Sequence, residues 1–397
     1  MQCGSPCIPG KSIRKRYEDI RMKPYTYIIA ARRSQAPSMQ YFFALSQVLV
    51  ERGHQVIIIV DGQRHDVENH QVNPAIYTWP SIQPTHWRDA LFLYKLVRKF
   101  HPDALIANFN NVNIMLLVGW LSGVPVRVAW YRSLLNANLI NIPKINWITS
   151  FLIWRRQLVY KLATHLIANS FAAREDVIKE YHVPARRAYV IHNSMADPLP
   201  SLRNSEKDRN LLVCVGRITL SKGQDILIRA VSLLRSSFPD LKVELIGKIT
   251  QEGYQQSVQD LARQLGVAEI CIFTGALSHG EVLERMSHAW VTLFPTRSEA
   301  FGLVNIESMA VGTPVIASKV GGIPEVIRDK VDGFLVPPED PDHLAEAIRT
   351  LLRDDHLHEQ MSLSCRQRFL ELFERDKVIN DQADWFIGLV SDANKVQ

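Results

Sequence analysis

The chain has 397 residues, which is enough for two domains of ordinary size. Hydrophobic residues make up 47% and charged residues 22%, a composition typical of a globular protein in water. The formal net charge of +6 is too weak to indicate a nucleic-acid-binding protein, but it suits an anionic substrate or an anionic membrane surface.

The N-terminal residues and the cysteines indicate in which cellular compartment the protein is expected. Residues 1–23 are polar and basic and contain no apolar run, which predicts a flexible tail, or a segment that contacts a membrane surface, rather than a secretory signal. Cys214 and Cys271 lie in apolar strand patterns typical of core residues, so the five cysteines do not suggest a disulfide framework. No stretch predicts a spanning helix. We expect a cytoplasmic protein, with the inner face of the membrane as a second location.

In residues 24–195, apolar strand patterns alternate with helical ones about six times, and residues 61–85 look irregular. This alternation predicts a parallel, doubly wound α/β sheet. The predicted strands are Tyr25–Ala31, His54–Val60, Asp103–Asn108, Val126–Trp130, His165–Ala168 and Tyr189–His192. Ligands in such sheets bind beyond the carboxyl ends of the strands, so polar residues there are candidates for a site.

Five polar residues follow these predicted strands. Ser38 is a good N-cap for a helix over 39–52, after a first loop that holds Arg32 and Arg33. The other four are Asn108, Asn110, Tyr131 and Arg132. Each can hydrogen-bond a sugar, but none is an ordinary general base at neutral pH. We take the five as candidate residues for the acceptor or sugar side.

Residues 139–163 combine aromatic and basic residues at helical spacing, among them Trp147, Phe151, Trp154 and Arg155. Two interpretations remain open. The stretch is either a core-facing helix with a basic solvent side or an interfacial helix on an anionic membrane. The second would suit a lipid-linked acceptor.

Residues 196–210 are polar and contain prolines, which predicts a linker, and the strand–helix alternation resumes from residue 211 to residue 374. After the strand Leu211–Val215 comes Gly216-Arg217, with Lys222-Gly223 five residues later. An arginine and a lysine at this spacing can both reach one diphosphate, although two solvated cations are the alternative. The pattern from Gln367 to about Leu389 predicts one long helix.

The stretch from Phe294 to Glu325 predicts two loops and two helix N-termini beyond strand ends. Helix N-termini carry unpaired N–H groups and bind phosphate. Gly302, Gly321 and Gly322 allow close approach of a diphosphate to the backbone. Glu299 and Glu307 are acceptors that suit the hydroxyls of a ribose or a hexose, unless they are solvated surface acids.

Glu299 and Glu307, flanked by Ala-Phe-Gly and followed by Gly-Gly-Ile-Pro-Glu, resemble the Glu-x7-Glu signature of the retaining glycosyltransferases of family four. The resemblance is close over residues 205–355 and loose over 25–195. It implies a GT-B fold, in which two Rossmann-like, doubly wound α/β domains face a central cleft. The implied acceptor domain is 24–195, joined by a C-terminal helix 375–397, and the implied nucleotide-sugar donor domain is 211–374.

The resemblance also implies roles for individual residues. Glu299 would face the donor sugar, Glu307 would hold the nucleotide ribose, and Arg217 and Lys222 would stabilise the leaving diphosphate. Arg217, Lys222 and Glu299 are therefore the catalytic candidates. The further donor-binding candidates are Gly216, Gly247, Thr274, Gly275, Ala300, Phe301, Gly302 and Leu303.

The implied reaction moves a hexose-type sugar, with retention, from a UDP- or GDP-linked donor to a hydroxyl of a glycan, a lipid-linked compound or a small molecule. We expect no cofactor and no metal, and a role in polysaccharide biosynthesis. The chain departs from the family pattern in two places: the first loop lacks a Gly-Gly pair, and the strand ends at Asn108 and Trp130 lack histidine. Alternatives are therefore an epimerase or a sugar-phosphate-accepting synthase on the same fold, an inactive nucleotide-sugar-binding protein, and a lipid-binding protein.

Overall fold

A computed structural model describes residues 23–32, 37–61, 69–140, 147–202, 206–250 and 252–395. The chain divides into two compact units. Unit 1 consists of Met1–Arg132, Ile145–Met195 and Arg375–Gln397, and unit 2 consists of Ser133–Lys144 and Ala196–Glu374. Residues 133–144, which the sequence analysis placed in the first domain, are thus grouped with the second.

Unit 1 is built on a parallel sheet of seven strands in the order β3-β2-β1-β4-β5-β6-β7. The strands are β1 (Thr26–Ala30), β2 (Gln55–Val60), β3 (Ala75–Thr78), β4 (Ala104–Ala107), β5 (Val126–Tyr131), β6 (His165–Ala168) and β7 (Ala188–Val190). Since β1 pairs with both β2 and β4, the direction of winding reverses between β1 and β4. In parallel sheets, ligands commonly bind at such a reversal, beyond the carboxyl ends of the two strands.

Unit 2 is built on a parallel sheet of six strands in the order β10-β9-β8-β11-β12-β13. The strands are β8 (Asp208–Val215), β9 (Lys242–Ile246), β10 (Cys271–Gly275), β11 (Ala289–Phe294), β12 (Val315–Ser318) and β13 (Gly333–Val336). Strands β8 and β11 are neighbours at the centre of this sheet. The winding reverses between them, so the loops after β8 and β11 meet at one edge.

Helices connect the strands of both sheets. In chain order they are α1 (Pro37–Glu51), α2 (Trp87–Phe100), α3 (Val112–Leu121), α4 (Leu135–Leu139), α5 (Trp147–Tyr160), α6 (Phe171–Tyr181), α7 (Gln224–Ser232), α8 (Glu252–Gln264), α9 (His279–His288), α10 (Leu303–Ala310), α11 (Ile323–Val326), α12 (Pro341–Arg353), α13 (Asp355–Leu372) and α14 (Arg375–Lys395). No helix among the described residues has both the length and the apolar composition needed to cross a membrane.

The strands are apolar because helices cover both faces of each sheet. In β2, all residues from Val56 to Val60 are buried. In unit 1, Phe42 of α1, Trp130 of β5 and Phe386 of α14 belong to one core. Packing of α14 on this core makes the C-terminal helix part of unit 1.

Two predictions about secondary structure were wrong. Residues 61–85 are not irregular throughout, because β3 lies at the edge of the first sheet; its four residues form too short an apolar run to be recognised. The pattern from Gln367 to Leu389 is not one helix. It is interrupted after α13, where Phe373 is fully buried against Phe301 and the Arg375 N–H donates to the Met195 carbonyl at 2.9 Å.

Candidate active site

The loops after β8 and β11 are joined directly at the carboxyl edge of the second sheet. The Thr296 hydroxyl and the Arg297 backbone N–H both donate to the Ser221 carbonyl, each at 2.8 Å. Gly223 has φ +69°, and a Cβ there would lie 2.0 Å from the Pro295 carbonyl oxygen. The contact therefore requires glycine at position 223.

Arg297 anchors the two loops further. Its guanidinium donates to both carboxylate oxygens of Asp225, in the first turn of α7, at 2.8 Å each, and to the Leu220 carbonyl at 2.6 Å. Asp225 also accepts from the Tyr254 hydroxyl at 2.6 Å. Burial raises the pKa of Asp225, but the bonds from Arg297 and Tyr254 outweigh it and hold that pKa below its usual value. Arg297 was not among the residues predicted from the sequence, because nothing local distinguishes it from a solvated arginine.

Glu299 lies where three loops meet. Its Oε2 is 2.6 Å from Lys222 Nζ, and both side chains are largely buried. Its Oε1 accepts from the backbone N–H groups of Ala300 at 3.0 Å and Phe301 at 3.5 Å. Its backbone carbonyl accepts from the Gly322 N–H at 3.2 Å, in the loop after β12. Burial raises the pKa of Glu299, but Lys222 and the two N–H bonds outweigh it, and the net shift is downward.

Glycines at the ends of three strands let the backbones approach one another. A Cβ on Gly247 would lie 1.8 Å from the Gly216 carbonyl oxygen. The Gly247 N–H donates to the Gly275 carbonyl at 2.9 Å, and the Thr274 hydroxyl donates to the same carbonyl at 3.1 Å. Gly216, Gly247, Thr274 and Gly275, four donor-binding candidates, thus form one continuous edge.

The start of α10 is also built from candidate residues. Gly302 precedes the helix with φ +89°, and Leu303 is its first residue. The Ala300 and Phe301 side chains are buried, so they present only backbone to a ligand. Because an α-helix leaves its first N–H groups unpaired, this end of α10 can accept an anion.

Glu307 lies one turn into α10 and is 7% exposed. Its Oε1 is 3.2 Å from Nε2 of His279, the first residue of α9. Ser278 and Glu281 form a capping box at that helix start, which fixes the position of His279. His279 was not among the residues predicted from the sequence, although its place directly after a serine N-cap is a local signal.

Arg217, the second cation of the loop after β8, has no side-chain partner in the described part of the chain. Arg217 is exposed in the loop after β8, and no described residue forms an ion pair or hydrogen bond with its guanidinium. Nor do the described residues gather three His, Cys, Asp or Glu side chains in a way that could hold a metal ion. The four charged candidates are thus placed as follows. Lys222 and Glu299 are in direct contact, and Arg217 lies in the same loop as Lys222. Glu307 lies on α10, the helix that follows Glu299.

The candidate residues in unit 1 differ in exposure and in hydrogen bonding. The Asn108 side chain is buried and donates to the Ala30 carbonyl, and the Tyr131 hydroxyl donates to Asp176 of α6. Both polar groups are thus engaged within unit 1. Asn110 is exposed in the turn Phe109–Asn111.

Three further residues belong to the first loop and the helix that follows it. Arg32 is exposed, with its Nε 3.6 Å from Asp61. Arg33 and the side chain of Ser38 lie outside the described residues. The remaining unit 1 candidate, Arg132, is half-buried among aromatic rings.

The Lys222–Glu299 pair makes stability depend on pH. Because the folded-state pKa of Glu299 is lowered, the pair stabilises the protein above the ordinary glutamate value of 4.5, and this contribution is lost as the pH falls through the lowered value. In Lys222→Met, burial remains and the cation is gone, so the pKa of Glu299 should lie above 4.5. We expect a loss of about 2–3 kcal/mol near pH 7 that shrinks towards pH 5.

The measurement is the thermal unfolding midpoint of wild type and Lys222→Met across that pH range. Lys242→Met, at the exposed start of β9, is the matched control and should change little at any pH. A deficit in Lys222→Met that stays constant with pH would contradict the assignment.

Two family models match the chain: "Glycosyl transferases group 1" over residues 200–368 and "Glycosyltransferase Family 4" over residues 40–195. Among curated proteins, the D-inositol 3-phosphate glycosyltransferase of Thermobifida fusca is 33% identical over 216 residues, which is 50% of this chain and 50% of that protein. The chain spans about half the length of the curated relatives it matches.

Solved structures extend the likeness over nearly the whole chain. HepE of Anabaena, in complex with UDP, has a TM-score of 0.72 at 18% identity and covers 92% of this chain and 99% of its own. Sucrose-phosphate synthase from Thermosynechococcus elongatus has a TM-score of 0.74 at 20% identity and covers 93% and 100%. At such identity the likeness shows the fold, and the predicted fold class, two Rossmann-like α/β domains of the GT-B type, is confirmed. The chain belongs to the group 1, family 4 glycosyltransferases.

Proposed function

We propose that the protein transfers a hexose-type sugar from a nucleoside-diphosphate sugar to a hydroxyl acceptor with retention of anomeric configuration. The observation that carries this proposal is the buried Lys222–Glu299 pair, held where three loops meet beside the start of α10. HepE has been solved with UDP and with UDP-glucose, which supports a donor of the same class here. Unit 2 would be the donor domain, and unit 1 the acceptor domain.

The diphosphate of the donor would bind Lys222, Arg217 and the first N–H groups of α10. A lysine ammonium has three N–H donors, so Lys222 can keep its bond to Glu299 and still bind a phosphate oxygen. Arg217 has no protein partner in the described chain and is free to add a bidentate contact. Bare backbone at Gly216 and Gly302 leaves room for the diphosphate.

The nucleoside would lie beside Glu307 and the edge formed by Thr274 and Gly275. A carboxylate only accepts hydrogen bonds, so Glu307 suits the two hydroxyls of a ribose. His279 contacts one oxygen of this carboxylate, Oε1, at 3.2 Å and would help to hold it in place. Backbone groups at Gly275 can bind a base, and both a UDP- and a GDP-linked donor fit this scheme.

The chemical step would follow from charge placement. As the bond between the sugar and the diphosphate breaks, negative charge grows on the diphosphate oxygen, and Lys222 and Arg217 stabilise it. That oxygen, on the side from which the acceptor attacks, takes the proton of the acceptor hydroxyl. Attack from the side of the leaving group gives retention. Glu299 would orient the sugar and fix Lys222, and fixed cations can perform this step without a metal.

Loss of Lys222 should abolish most of the activity. In Lys222→Met, we expect the rate of UDP or GDP release from a panel of nucleotide sugars to fall at least about 100-fold. The assay is run well below the unfolding midpoint of the variant, because the change also destabilises the site. Lys242→Met should keep wild-type turnover. Near-normal turnover in Lys222→Met would overturn the assignment.

The stereochemistry and the metal requirement can be tested together. NMR of the transfer product should show the anomeric configuration of the donor sugar, and turnover should be unchanged by EDTA. An inverted linkage would rule out the proposed side of attack. Activity that EDTA abolishes and added Mg²⁺ or Mn²⁺ restores would contradict the charge-placement mechanism.

A second proposal concerns where the reaction takes place. The α5 helix exposes Trp147 (77%), Phe151 (50%) and Trp154 (53%), with the exposed Arg155 beside them. This arrangement favours the interfacial-helix interpretation over a core-facing one. We propose that α5 contacts an anionic membrane on its cytoplasmic face, where a lipid-linked acceptor would be reached.

Flotation with vesicles tests this contact. We expect the protein to float with phosphatidylglycerol vesicles, and to do so far less with phosphatidylcholine ones, because cationic groups accompany the aromatic face. Replacing Trp147, Phe151 and Trp154 with serine should abolish flotation. Trp87→Ser, which removes a tryptophan of comparable exposure (70%) from α2, should not abolish it. Equal flotation of all variants would refute the contact.

A further inference from the structure

Arg132 follows β5, on the same sheet edge as the other unit 1 candidates. Its guanidinium carbon lies 5.3 Å from the ring centre of Phe42, 5.6 Å from that of Phe109 and 5.1 Å from that of Trp130. Three aromatic faces therefore surround one cation. Cation–π attraction of this kind offsets part of the loss of hydration.

The guanidinium has no counter-charge among the described residues. Its Nε and Nη1 atoms are buried and donate to no acceptor, and no described carboxylate pairs with it. Burial lowers the pKa of Arg132 to about 10, and the group that acts against this shift is the Tyr41 hydroxyl rather than a carboxylate. The arginine is still protonated at neutral pH, so unit 1 contains a half-buried positive charge that has no anion among the described residues.

Other shielded arginines of unit 1 are satisfied. Arg127 donates through Nε to the Leu162 carbonyl at 2.8 Å and through Nη1 to the Val124 carbonyl. Arg174 donates to the Ala188 carbonyl at 2.9 Å and pairs with Glu175 at 3.0 Å. Buried polar groups in folded proteins nearly always have partners, and a buried charge without one is strongly unfavourable. Arg132 is therefore the exception that calls for a ligand.

We propose that Arg132 binds an oxyanion, a phosphate or a carboxylate, carried by the acceptor. The proposal rests on the transferase function and specifies its acceptor as an acidic hydroxyl compound. Nε and Nη2 lie on one edge of the guanidinium, neither donates to a described residue, and together they form a fork that matches two oxygens of such a group. The donor diphosphate has its own proposed partners, Lys222 and Arg217, in unit 2. The aromatic rings hold the fork in place before the acceptor arrives.

The test is anion binding to the full chain with UDP at saturation, so that the donor site is occupied. Sodium phosphate and sodium acetate are titrated at constant ionic strength against sodium chloride, and the thermal unfolding midpoint is followed. We expect one of the two anions to raise the wild-type midpoint in a saturable way. In Arg132→Met, the dissociation constant should be at least about tenfold larger, and in Arg132→Lys it should be intermediate, because lysine keeps the charge but lacks the fork.

Arg127→Met is the matched control. It removes a satisfied arginine, so it should lower the midpoint in chloride while leaving the anion response intact. Arg132→Met should not lower the midpoint in chloride, because it removes an uncompensated half-buried charge. A residue with a merely structural role would behave in the opposite way. If Arg132→Met proves insoluble, the anion affinity of Arg132→Lys decides the question.

Three results would overturn the inference. One is a wild-type chain that responds to neither anion. Another is an equal response in wild type and Arg132→Met. The third is a loss of UDP affinity in Arg132→Met as large as the loss of anion affinity, which would assign Arg132 to the donor diphosphate. Failure of the transferase proposal itself gives a different result: the wild-type chain would then bind neither UDP nor GDP.

Discussion

The buried contact between Lys222 and Glu299 is the constraint on which the rest of the donor-side architecture depends. A carboxylate shielded from water stays ionised only if a cation and N–H donors compensate the lost hydration. Lys222 and the amides of Ala300 and Phe301 supply them, and Gly322 holds the backbone carbonyl of Glu299. Three loops from three strands must therefore take one arrangement together. A ligand that binds there meets groups that are already oriented.

Many residues of this candidate site can be proposed from the sequence because their signals are local. Two glutamates eight positions apart, glycines at strand ends and a paired arginine and lysine can be recognised without knowing the fold. Arg297 and His279 could not be recognised in this way. The partner of Arg297 is 72 residues away and that of His279 is 28 residues away, and each residue type is common on surfaces. Only the folded sheet brings the partners together.

Unit 1 shows where such reasoning fails. A polar residue after a strand can face a ligand or pack against its neighbours, and the strand pattern is the same in both cases. Asn108 and Tyr131 bond within the unit, whereas Arg132 has aromatic neighbours but no acid in the part of the chain that the structure describes. Local sequence patterns also did not predict the short β3 or the break between the helices at Phe373. Strand β3 depends on its pairing with β2 at the edge of the sheet, and the break depends on burial of the Phe373 ring.

The most direct test of the central claim is a crystal structure of the full chain with UDP or GDP. The account predicts a diphosphate oxygen within hydrogen-bond distance of Lys222 Nζ and the ribose hydroxyls on the carboxylate of Glu307. A nucleotide bound elsewhere, or bound with its diphosphate away from Lys222, would contradict it.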